Sequence, residues 1–145
     1  MVKSMSSKTP IRRSVVLSSM PGASAGLWGH LLSDLECHGY TKDDIFAIHI
    51  AFEEAFINAV SHGSNFEPDK AVKIEYMVNV DKAELDLTDA GDGFNPNTVP
   101  DPRTEENKYK TNGRGLFLMQ AYMDTVEFNE KGNRVHMVRF KRQPE

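Results

Sequence analysis

Hydrophobic and polar positions along this 145-residue chain alternate with two different periods, and the changes of period mark out its elements. Residues 11–19 carry Val15, Val16 and Leu17 and predict a short strand, broken by Pro21-Gly22. Leu27, Trp28, Leu31, Leu32 and Leu35 then recur at three and four, which predicts an amphipathic helix over 24–38 with Gly39 as its stop. A second helix opens at Thr41, a candidate N-cap followed by Asp43 and Asp44. Its apolar arc is Ile45, Ile48, Phe52, Ala55, Phe56 and Ala59, and it runs to about His62 before Gly63.

The period then drops to two. Val72, Ile74, Tyr76, Val78 and Val80 alternate with polar residues and predict a strand. Asp81-Lys82 turns the chain into a second strand over 82–89, and the pair reads as an antiparallel hairpin. In that strand Ala83, Leu85, Leu87 and Asp89 share one face, so a carboxylate stands at core-side parity, with Gly91 and Gly93 directly after it. A carboxylate there is costly unless something donates hydrogen bonds to it. Either Asp89 caps its own turn, or it accepts from a ligand amino group while the glycines let backbone approach that ligand.

Residues 95–112 hold three prolines and many charges, a length that suits a functional lid or a disordered segment. Gly113-Arg114-Gly115 leads into a run over 116–123 that is apolar enough to predict a buried helix. Residues 125–129 and 134–141 predict a closing hairpin around the turn at 130–133. The order β-α-α-β-β-lid-α-β-β lacks repeated βαβ crossovers. It predicts an α+β fold, a two-layer sandwich with a mixed, mostly antiparallel sheet and helices on one face.

Composition narrows the class. With 39% hydrophobic and 26% charged residues the chain is an ordinary globular protein, read as one domain over 11–142 behind a flexible tail at 1–10. A net charge of −4 gives no footprint for general nucleic-acid binding, and no apolar run has the length of a membrane span. The tail lacks the apolar segment of a secretory signal, and Cys37 as the single cysteine excludes an internal disulfide and a four-cysteine zinc site. There is no Walker-type phosphate loop and no His-Glu-x-x-His pair.

The remaining chemistry gathers in three places. Glu54 and Asn58 are four apart and stack on one helix face, roughly 110–150° from the centre of the apolar arc. That face is either plainly solvated, or Glu54 deprotonates a nucleophile while Asn58 offers its carbonyl oxygen to Mg²⁺, with Glu53 the rival base. Asp89-x-Gly91-x-Gly93 is the second place. The third is Gly113-x-Gly115 at a helix start, a possible phosphate cradle flanked by Lys108, Lys110 and Arg114.

Taken in order, Glu54-x-x-x-Asn58, Asp89-x-Gly91-x-Gly93-Phe94 and Gly113-x-Gly115-Leu116-x-Leu118 resemble the nucleotide-binding boxes of the ATPase superfamily that includes gyrase, Hsp90, histidine kinases and MutL. More closely, the chain resembles the small anti-sigma-factor serine kinases of bacterial partner-switching systems, over about residues 11–142. The resemblance implies the Bergerat-type ATP-binding fold, ATP and Mg²⁺ as cofactors, and a cytoplasmic homodimer that sequesters a sigma factor and phosphorylates a STAS-type anti-anti-sigma protein on serine. It implies that Asp89 binds the adenine amino group, that Gly91 and Gly93 admit base and ribose, and that Asn58 coordinates Mg²⁺. Glu54 becomes the general base, the amides around Gly113, Gly115 and Leu116 hold phosphates, and Lys110 stands near the terminal phosphate. The alternatives are a non-catalytic ATP-binding module acting by sequestration only, and a detached histidine-kinase catalytic domain.

Overall fold

The computed structural model describes residues 9–63, 70–89 and 111–142, the side chains of 62, 63 and 111–113 excepted. Strand β1 (Ile11–Ser18) leads to helix α1 (Ala25–Cys37) and helix α2 (Lys42–Asn58), which ends in a π-helical turn, Ala59–Gly63. Strands β2 (Ala71–Val78) and β3 (Lys82–Asp89) follow, then helix α3 (Thr111–Tyr122) and strands β4 (Thr125–Phe128) and β5 (Arg134–Phe140). The five strands form one sheet in the order β1-β2-β3-β5-β4, every neighbouring pair antiparallel. The expected α+β sandwich is therefore the observed one.

Period-two patterning places the core. Ile74 lies opposite Leu87, and Leu85 opposite Met137; all four are buried on the helical side of the sheet. Leu31 and Leu35 of α1, Ile48, Phe52 and Phe56 of α2, and Met119 of α3 close over them. Burying side chains of this size contributes about 1.5–3 kcal/mol each, which is what holds the helical layer down.

Polar contacts fix where each helix sits. Thr41 caps α2 as expected: its Oγ1 accepts from the Asp44 amide at 3.0 Å, and the Asp44 carboxylate accepts from the Thr41 amide at 3.4 Å. Asp44 is fully buried and also accepts from Arg139 Nε of β5 at 3.0 Å, while Arg139 Nη1 donates to the Tyr122 carbonyl at the end of α3 at 2.6 Å. One guanidinium thus ties the start of α2, the end of α3 and the sheet. Asp34 anchors α1, accepting from Arg13 Nε at 3.0 Å and from the Tyr76 hydroxyl at 2.6 Å. Burial opposes the Asp34 charge, but the Arg13 and Tyr76 hydrogen bonds outweigh it and hold the carboxyl below its ordinary value.

Two boundaries and one burial pattern differ from the expectation. Strand β2 ends at Val78, because Asn79 builds the turn: its Oδ1 accepts from the amides of Asp81 and Lys82 at 2.8 Å, leaving Val80 out of the ladder. Helix α3 starts at Thr111, so Gly113 and Gly115 lie inside its first turns rather than ahead of it. It is also one-sided rather than buried all round: Leu116, Met119 and Met123 face the core, while Phe117 and Gln120 are exposed.

Candidate functional site

The site is built where the end of α2 meets the beginning of α3. The two helices run antiparallel: Phe46, near the start of α2, packs edge-on against Tyr122 at the end of α3, with ring centroids 5.8 Å apart. At the other end Gly115 lies against Glu54 and Asn58. A Cβ on Gly115 would stand 3.0 Å from Glu54 Oε1, 3.1 Å from Asn58 Nδ2 and 3.3 Å from Asn58 Oδ1. A side chain at this position would push Glu54 or Asn58 back by a few tenths of an ångström, so glycine here serves a close approach rather than a turn. The face of α2 that periodicity left open as a solvated surface is covered by α3.

Asn58 is 6% exposed, and among the described residues neither its Oδ1 nor its Nδ2 has a hydrogen-bond partner. Buried amides are almost always paired, because an unpaired one forfeits its hydration without return. An unpaired buried amide at the last turn of a helix makes Asn58 a candidate ligand-binding group. Directly after it the backbone widens into the π-turn Ala59–Gly63, a geometry frequent at functional sites, which packs onto β3. An amide oxygen is a hard donor of the kind Mg²⁺ takes, so Asn58 fits that ion as one protein ligand alongside phosphates. Among the described residues no group of three or more His, Cys, Asp or Glu side chains is arranged to hold a metal.

Glu54 is half-buried, and burial raises its carboxyl above the ordinary value; Arg114 works in the opposite direction and Glu53 adds to the rise. A carboxylate raised in this way accepts a proton more readily. Glu53 is engaged elsewhere. It accepts from the Ser24 hydroxyl at 3.2 Å and lies 3.6 Å from His49 Nε2, whose ring stacks on Trp28 at 4.1 Å. Of the two adjacent glutamates, Glu54 is the one beside Asn58 and Gly115.

Asp89 is the last residue of β3, half-buried and on the same strand face as buried Ala83, Leu85 and Leu87. Its amide donates to the Asn133 carbonyl at 2.9 Å, and its own carbonyl accepts from Asn133 Nδ2 at 3.3 Å. Sequence reading marked 130–133 only as a turn and gave Asn133 no part in the site. Gly113 lies in the first turn of α3, where backbone amides lack intrahelical acceptors, whereas the amides of Gly115 and Leu116 fall beyond that turn. Gly91, Gly93, Lys108 and Lys110 lie outside the described residues.

A cavity of about 290 Å³ lies on the opposite, helix-free face of the sheet, lined by residues including Arg12, Glu75, Glu84, Asp86 and His136. Asp86 in its wall is paired with Arg134 at 2.7 Å, and His136 Nδ1 is 3.1 Å from the same carboxylate.

An antiparallel sheet with helices on one face, and a Glu-x-x-x-Asn helix end closed by a glycine-bearing helix start, define a nucleotide-binding class. The histidine kinase-like ATPase domain matches residues 22–139, and the chain belongs to that family. Within it, the chain is 36% identical over 98 residues to the serine-protein kinase RsbW of Bacillus velezensis, covering 61% of this chain and 59% of that protein. It is 33% identical over 112 residues to the serine-protein kinase RsbW of Bacillus subtilis, covering 70% and 68%. Against the RsbW of Listeria monocytogenes serovar 1/2a it is 29% identical over 109 residues, covering 70% and 69%. The match thus spans about three-fifths to two-thirds of these relatives. The crystal structure of the RsbU and RsbW domains of Rv1364c from Mycobacterium tuberculosis shares the fold, with a TM-score of 0.58 at 17% identity over 95% of this chain and 34% of that one. No helix among the described residues is long and apolar enough to cross a membrane.

Proposed function

We infer that this chain is an ATP-dependent serine-protein kinase and anti-sigma factor: it holds a sigma factor inactive and phosphorylates a STAS-type anti-anti-sigma protein on serine. The observation that carries the reading is the buried, unpartnered Asn58 side chain beside Glu54 and Gly115. Similarity to serine-protein kinases of three bacteria supports the choice of serine as acceptor.

Asp89 accepts a hydrogen bond from the adenine amino group, with Gly91 and Gly93 leaving room for base and ribose. The free first-turn amides of α3, at Gly113, face the phosphates at the positive end of the helix dipole, with Gly115 and Leu116 one turn behind them in the helix and Lys110 near the terminal phosphate. Asn58 would hold Mg²⁺ through its side-chain oxygen, and the ion would neutralise charge on the phosphates. Glu54 takes the proton of the substrate serine hydroxyl as its oxygen bonds to the γ-phosphorus. The bond from that phosphorus to the bridging oxygen breaks, and ADP leaves with the electron pair. Phosphoryl transfer needs mostly positioning and charge neutralisation, so this small set suffices. The protein works in the cytoplasm as a homodimer, without contacting nucleic acid or membrane.

The raised carboxyl of Glu54 and the engagement of Glu53 with Ser24 favour transfer over a purely sequestering module. Thermal unfolding with and without ATP–Mg²⁺ tests the nucleotide reading. At a hundred times its dissociation constant a ligand stabilises by about 2.7 kcal/mol. Wild type should gain that much and Asp89→Asn should gain nothing; an unmoved wild-type transition at millimolar ATP refutes the reading.

A further inference from the structure

We propose that Asn133, held by Asn129, is a positioning residue for adenine recognition: it braces the end of β3 so that Asp89 is aimed into the nucleotide pocket. The inference rests on the nucleotide reading above and deepens it.

Strand ends normally fray, and Asp89 is the last residue of β3. Here the end is clamped through Asp89 itself. Its amide donates to the Asn133 carbonyl at 2.9 Å, and the Asn133 side-chain amide donates back to the Asp89 carbonyl at 3.3 Å. The second bond uses a side chain where the regular ladder has run out; the last β3–β5 partners are Thr88 and Arg134. Asn133 is in turn oriented by Asn129, whose Nδ2 donates to Asn133 Oδ1 at 2.7 Å. Asn129 is fixed by its own turn: its Oδ1 accepts from the amides of Gly132 at 2.8 Å, Asn133 at 3.1 Å and Arg134 at 3.2 Å. Gly132 supplies the left-handed residue, φ 79°, that lets the turn fold back on that oxygen.

A turn needing only to reverse the chain has no use for an amide-to-amide relay that ends on another strand. The relay ends at the residue whose carboxylate must be held still. Discrimination by a hydrogen bond depends on its geometry, and a strand end free to swing by a fraction of an ångström weakens it. Asn133 touches no nucleotide and acts only through the Asp89 backbone.

The test is binding of ATP against purine riboside triphosphate, which lacks the 6-amino group, to wild type and Asn133→Ala. Losing one neutral hydrogen bond should weaken ATP roughly five-fold while leaving the analogue within two-fold, so that the preference for the amino group shrinks. kcat at saturating ATP should stay unchanged while KM rises. Equal losses for both nucleotides, or no loss, overturn the inference while leaving the nucleotide reading intact. A wild type that binds neither nucleotide overturns both. If Asn133→Ala does not fold, Asn129→Asp carries the same comparison: it keeps an oxygen that accepts from the turn amides and replaces the donor to Asn133 Oδ1 with a negatively charged oxygen that repels it. It should shrink the preference in the same direction, and an undiminished preference overturns the inference.

Discussion

Replacing Asn58 by leucine should make the unliganded protein more stable while destroying its response to ATP–Mg²⁺. Asn58 has two buried polar atoms without partners. Each such group costs about 1–3 kcal/mol relative to a satisfied or apolar one. Leucine branches at the same carbon and buries two methyls in their place. Those methyls are bulkier than the amide and sit near Gly115, which already leaves little room; crowding of this kind costs about 1–3 kcal/mol. The net expectation is a gain of about 1–3 kcal/mol, which for a domain of this size raises Tm by roughly 3–10 °C. Urea and thermal unfolding of both proteins, each without ligand and with ATP–Mg²⁺, read the two effects separately. Wild type should be stabilised by ligand and Asn58→Leu should not, the curves crossing as ligand is added. A leucine variant that is less stable than wild type without ligand refutes the reasoning, because it means the amide was satisfied all along.

Further outcomes follow from neighbouring contacts. Gly115→Ala should lose about 1–3 kcal/mol in urea unfolding, since its Cβ would press on Glu54 and Asn58, whereas Gly29→Ala, with open space around it in α1, should gain up to about 1 kcal/mol from helix propensity. Glu54→Gln should bind ATP as wild type does but transfer no phosphate, and the wild-type transfer rate should climb with pH through the raised Glu54 carboxyl. The same shift has a stability sign. The folded state holds that proton more tightly than the unfolded chain, so the Glu54 contribution is present below the unfolded value near 4.5 and is lost as pH rises through the folded one. Glu54→Gln should therefore gain on wild type at neutrality and not in acid, as unfolding at the two pH values would show. Arg139→Leu strands the fully buried Asp44 carboxylate and should cost about 3–5 kcal/mol by denaturation.

Period and punctuation were enough to read the sheet, because each strand of the hairpin has one face buried and one wet. Leu85 and Leu87 fell on the predicted face, and so did Asp89. The capping box at Thr41 was legible because its partner is three residues away. What escaped was long-range. Nothing local to Asn58 says that Gly115, far along the chain, will cover it, so geometry alone favoured a solvated helix face. Nothing local to Gly113 and Gly115 says the helix has already begun, since glycines ordinarily mark its outside. Asn129 read as a strand end and Asn133 as a turn residue because the hydrogen bonds that link them to Asp89 reach across the turn to another strand. Glu54 was preferred to Glu53 because it stacks with Asn58; the Ser24–Glu53 contact, between residues far apart in sequence, was not legible.

The central claim is serine phosphorylation with Glu54 as base, and label transfer from γ-labelled ATP tests it most directly. Wild type and Glu54→Gln are each incubated with a purified STAS-type anti-anti-sigma protein, and the product is tested for phosphoserine. Wild type should label serine on that protein, and Glu54→Gln, with its ATP affinity intact, should leave it unlabelled. Undiminished labelling by Glu54→Gln, or release of phosphate with no serine modified by wild type, would contradict the account.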